Sequence, residues 1–113
     1  MDKDAKGLNE ALAVPRSVSV TATATMTPDQ ELVDASTIAG GAAITLTLPS
    51  VAEATRNRDY MVRFIAKNTT LTVTVQDGGD SWKAISAALT AVGDYVVLRS
   101  NGRTWYIVDS VLT

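Results

Sequence analysis

Tyr95-Val96-Val97-Leu98-Arg99-Ser100-Asn101-Gly102-Arg103-Thr104-Trp105-Tyr106-Ile107-Val108 consists of two β-rich runs around an Asn-Gly pair. Branched and aromatic side chains suit a pleated, half-buried surface. Asn-Gly suits turns whose central residues need positive φ, so the stretch predicts a hairpin with strands at 95–99 and 103–108. Trp105 and Tyr106 are neighbours, and neighbours on a strand face opposite ways. One of them is expected in the core and the other on a surface or subunit contact.

Upstream, the same two-residue grammar repeats. Val18, Val20, Ala22 and Ala24 alternate with Ser17, Ser19, Thr21, Thr23 and Thr25. Ile44, Leu46 and Leu48 alternate with Thr45 and Thr47, and Leu71, Val73 and Val75 with Thr70, Thr72 and Thr74. This period buries one set of side chains and leaves the other toward water. Glu31 to Ala35 and Tyr60 to Lys67 read as further strands. Thr27-Pro28-Asp29, Gly40-Gly41, Pro49-Ser50 and Asp77-Gly78-Gly79-Asp80 read as breaks. Val51 to Asp59 reads as a loop with about one helical turn. Residues 81–92 fit either a short helix, from their alanines, or short irregular strands. The expected fold is all-β: an antiparallel β-sandwich or jelly-roll-like domain over residues 17–113.

The grammar changes at Pro15. Residues 1–16 carry alternating charges, with Leu8 and Leu12 one helical turn apart and Val14 pushed toward extended geometry by Pro15. Two readings fit this segment: a frayed end, common at termini, or an arm whose leucines meet a partner. The arm gives Leu8, Leu12 and Val14 a use.

Composition limits the chemistry. The 113 residues suit one domain, and a composition 46% hydrophobic and 19% charged is not that of a disordered chain. A net charge of −2 argues against nucleic-acid binding, which needs a basic surface. No apolar run approaches the ~20 residues of a membrane helix. The charged N-terminus lacks a signal-peptide core, so synthesis in the cytoplasm is expected. There is no histidine and no cysteine. Ser-His and Cys-His nucleophile pairs and thiolate metal sites are therefore excluded. Carboxylate pairs remain, Asp77 with Asp80 or Glu53 with Asp59, and the first pair could also supply oxygen ligands to calcium. All four sit in turns or loops, where Asp serves the backbone, and the spacing is not that of an EF-hand. No enzyme activity and no cofactor are expected. Gly40-Gly41 and Gly78-Gly79 lack the Lys-Ser/Thr of a phosphate loop and read as turns. Trp82 follows a turn, and it has two readings: a partner or ligand contact, or an apolar plug under its loop.

In order and spacing these elements resemble a β module of tailed-bacteriophage virion proteins, found in head-decoration, head-fibre and tail-fibre proteins. The matching residues are Ile44 to Ser50, Arg58-Asp59-Tyr60, Val62 to Asn68, Leu71 to Val75, and Tyr95 to Val108. The resemblance covers roughly residues 30–109. Asn57 stands where the module often has glycine, and Gly79-Asp80-Ser81-Trp82 where it often has an Ile-Asp-Gly turn.

The resemblance implies assembly or recognition without catalytic residues, commonly as a homotrimer. A small sheet protein gains core by burying a face against copies of itself. The expectation is a trimeric capsid decoration (cement) protein on the virion head. Leu8, Leu12 and Val14 would anchor it to the major capsid protein. The brevity of the chain favours the head over a tail fibre or receptor-binding tail protein. From another class, a carbohydrate-binding module would use Trp82 and a tyrosine as a platform for a host-surface glycan.

Overall fold

Alternating Val/Leu and Thr, punctuated by Pro and Gly, produces strands throughout. The structure is a computed structural model that describes residues 17–54, 58–68 and 70–113. The described strands are β1 (Ser17–Val20), β2 (Ala24–Thr25), β3 (Leu32–Ser36), β4 (Ile44–Thr47), β5 (Tyr60–Ala66), β6 (Val73–Gln76), β7 (Ser86–Leu89), β8 (Tyr95–Ser100) and β9 (Trp105–Val111). No helix occurs among the described residues. The expected arm, residues 1–16 with Leu8, Leu12 and Val14, lies outside them.

The strands form two sheets, one ordered β1-β3-β5-β8-β9 and the other β2-β4-β6-β7. Through β6 the chain visits the sheets in turn, so each round trip lays one new strand on each. Successive strands of a sheet then run the same way: β1–β3, β3–β5, β2–β4 and β4–β6 are all parallel. The chain turns back only at β7, and β6–β7, β5–β8 and β8–β9 are antiparallel. The sandwich-like, all-strand expectation is met, but the sheets are mixed. The antiparallel pairing of a jelly roll is confined to the pairs made by β7, β8 and β9. The physical reason is the path of the connections. A crossing to the opposite sheet and back permits a parallel neighbour, whereas a hairpin does not.

The crossings rewrite one expected strand. Residues 17–25 alternate without a break, yet they form β1 and β2 in different sheets, with the crossing at 21–23. Gly40 backs this crossing: a Cβ there would stand 2.4 Å from the Thr21 carbonyl oxygen. Only glycine lets the two backbones approach so closely.

The core follows the alternation. Val33 and Ala35, Tyr60, Val62 and Phe64, and Val96 and Leu98 face inward from the first sheet. Ile44, Leu46 and Leu48, Val73 and Val75, and Ala87 and Leu89 face them from the second. Each large side chain buried in this way contributes about 1.5–3 kcal/mol. Trp105 is the inward member of its pair and packs edge-on against Tyr60, with ring centroids 5.3 Å apart. Tyr106 faces outward.

The loop readings resolve locally. Ser50 accepts from the Ala54 amide at 2.9 Å, the single helical turn expected after Pro49. Residues 86–89 are strand rather than helix. Leu71 lies ahead of β6, in a turn closed by its amide on the Asn68 carbonyl. The Asn-Gly hairpin joins β8 to β9 through residues 101–104, a longer loop than a two-residue turn. Gly102 supplies the positive φ of 93°. The Asn101 side chain accepts from the amides of Arg103 and Thr104, both at 3.0 Å.

Candidate interaction surface

The carboxylates named from the sequence are occupied by backbone. Asp77 accepts from the amides of Ile85 and Gly79, both at 2.8 Å. The Ile85 amide, set against partial burial, and the Gly79 amide hold its pKa below the usual carboxylate value. Asp80 accepts from the Val51 amide at 3.1 Å. Asp59 pairs with Arg99, whose Nε donates at 2.9 Å. Glu53 is exposed on its turn. Neither pair converges on an open site. Among the described residues no group of three or more acidic side chains is placed to hold a metal ion. Gly40-Gly41 and Gly78-Gly79 are turns.

Trp82 does not plug its loop: it is 84% exposed. The segment around it is fixed all the same. The Trp82 amide donates to the Arg103 carbonyl at 2.8 Å. The Ser81 hydroxyl accepts from the Trp105 amide at 2.9 Å and lies 2.8 Å from the Thr104 hydroxyl. Residues 81–83 are thereby fastened to the start of β9. A groove of about 250 Å³ adjoins it, lined by Lys83, Ala84, Ile85, Trp105, Tyr106 and Ile107.

Beyond Trp105, β9 buries nothing. Tyr106, Ile107, Val108, Val111 and Leu112 are all between 38 and 47% exposed. The cause is the unequal sheets. β4 partners β3 in the winding, β6 partners β5, and β7 touches β8, so among the described residues the second sheet has no strand left to face β9. The strand is also an edge, and Val108 is the extra residue of a bulge between the Leu98–Ile107 and Val97–Asp109 pairs.

Both ends of this exposed stretch are anchored. At one, Trp105 is buried and its indole N–H donates to the Pro49 carbonyl at 3.0 Å. Nearby, the buried Ser100 hydroxyl donates to the Val51 carbonyl at 3.0 Å. At the other end Asp94, 1% exposed, accepts from the Thr113 amide at 3.0 Å and the Thr113 hydroxyl at 2.6 Å. It also accepts from the amides of Thr90 and Ala91, at 3.0 and 3.1 Å. Burial raises the pKa of this carboxyl, but the hydrogen bonds from Thr113, Thr90 and Ala91 outweigh it and hold the value at about 2. Between the two anchors the chain presents apolar side chains on a backbone already ordered, which lowers the entropic cost of binding.

The sequence reading named Trp82 but missed Ile107, Val108, Val111 and Leu112. The available signal was Trp105 to Val108, four apolar residues with no polar alternation. Such a run implies a strand that needs cover on both faces. The proposed anchors Leu8, Leu12 and Val14 lie outside the described residues. Comparison of the chain with protein-family models and with curated proteins produced no match.

Proposed function

We propose that this chain is a structural virion protein of a tailed bacteriophage, acting as a homotrimeric capsid decoration protein on the head surface. The observation that carries the assembly half of this reading is β9: an apolar edge strand, anchored at both ends and left uncovered by the described residues. Monomeric proteins blunt such edges, because an exposed edge recruits another chain. The tailed-phage half rests on the ordered resemblance of residues 30–109. In this reading Leu8, Leu12 and Val14 contact the major capsid protein. Sedimentation equilibrium at micromolar concentration should give three times the chain mass. Cryo-EM of the virion carrying the chain should place that trimer on the head. A monomer in solution rejects the assembly reading, and density on the tail replaces the head reading with a tail fibre or receptor-binding protein.

A carbohydrate-binding reading has one observation in its favour. Trp82 is exposed and precedes Lys83, which lines a groove with Tyr106, and exposed aromatic faces can stack on sugar rings. Binding on a glycan array that Trp82→Ala abolishes would support it.

A further inference from the structure

We infer that the partner of β9 is the β1 edge of a second copy of this chain, the two five-stranded sheets joining through parallel strands. This deepens the assembly reading and rests on it.

Among the described residues β1 and β9 are the two unpaired edges of one sheet. β1, β3 and β5 run the same way; β8 opposes β5, and β9 opposes β8. β9 therefore runs parallel to β1. A rotation axis along the strands leaves their direction unchanged, and such rotations relate the copies of a closed ring. Around that axis the β9 of one copy meets the β1 of the next in parallel. This is the pairing β1 already makes with β3 on its other side. A contact of β9 with β9 about a two-fold axis perpendicular to the strands would instead be antiparallel, and it would leave both β1 edges unpaired.

Composition agrees. Neither β1 nor β9 contains the lysine or proline with which edge strands exclude partners. Residues 17–25 carry no charge at all, and β9 carries one, Asp109, which accepts from the Tyr95 hydroxyl at 3.2 Å. No like-charge pair opposes the contact. Through the paired registers Val18 lies level with Ser110, so the half-buried Val18 and Val20 of β1 meet the end of β9 that carries Val111 and leads to Leu112. Trp82, Tyr106, Ile107, Val108, Val111 and Leu112 together offer roughly 600 Å² of surface. Each partner in a stable interface buries about 800 Å². Backbone hydrogen bonds along the joined edges add to the apolar contact, as in other strand-addition complexes.

The absence of cysteine makes the test direct. Ser19→Cys and Ser110→Cys sit on the two exposed strands and leave the core intact. Each variant, and an equal mixture refolded together, is treated with a short bis-maleimide, and sedimentation velocity is run on the same samples. The expected result is an oligomer in all three, with covalent dimer formed chiefly in the mixture. Dimer formed as readily by Ser110→Cys alone indicates a β9–β9 contact and overturns the inference, as does an oligomer that cross-links in none of the three. Both of those outcomes leave the assembly reading standing. A monomer in all samples removes that reading and the inference together.

Discussion

The indole N–H of Trp105 donates to the carbonyl of Pro49 across the sandwich, joining the root of β9 to the end of β4. This bond and the Tyr60 contact fix where the exposed part of β9 begins.

Trp105→Ala should destabilise the fold by about 3–5 kcal/mol, since it leaves a cavity and an unpaired Pro49 carbonyl. Trp105→Phe keeps most of the packing and loses the hydrogen bond, so its cost should be nearer 1–2 kcal/mol. Urea unfolding followed by circular dichroism measures both.

Asp94 makes stability depend on pH in a defined window. Its folded pKa of about 2 lies below the ordinary carboxylate value. The depressed value means that the stabilisation is present above pH 4 and is lost as pH falls through the folded pKa. Asp94→Asn should lower stability at neutral pH and flatten the acid limb between pH 4 and 2. An unchanged acid limb in the variant would assign that limb to other carboxylates.

Gly40 and Gly41 should respond differently to alanine. Gly40→Ala drives a Cβ into the Thr21 carbonyl, where backbone must move, so a loss of roughly 1–3 kcal/mol is expected. Gly41 has φ 62° and open space around it, so Gly41→Ala carries only backbone strain of about 1 kcal/mol. Paired thermal melts give the order.

Val111→Lys should separate folding from assembly. Val111 is 47% exposed, and lysine suits an edge strand, so monomer stability should change by no more than about 0.5 kcal/mol. In the proposed oligomer the same ammonium would be buried without a partner, and sedimentation should show dissociation. A variant that assembles as well as the parent would move the contact away from β9.

Which residues face the core was legible without coordinates. Alternation assigns faces whatever a strand's neighbours are, so Val33, Leu46, Val62, Val75 and Leu98 declare themselves by spacing. The turn roles of Asp77, Asp80 and Asn101 followed from the local chemistry of short polar side chains. Strand direction is another matter. The alternation at 17–25 is identical whether it forms one strand or two, and a parallel ladder needs the same residues as an antiparallel one. Direction depends on where each connection lands, which is a property of the whole path. The same holds for Asp94 and Thr113: Asp94 beside Gly93 reads as a turn residue, but its partner lies 19 positions away and arrives only through β9. The run Trp105 to Val108 signals a strand that needs cover, but whether β9 receives it is decided by something no local pattern carries. Among the described residues one sheet has five strands and the other four, so β9 is left without a facing strand, and only the tertiary arrangement counts strands on both sides.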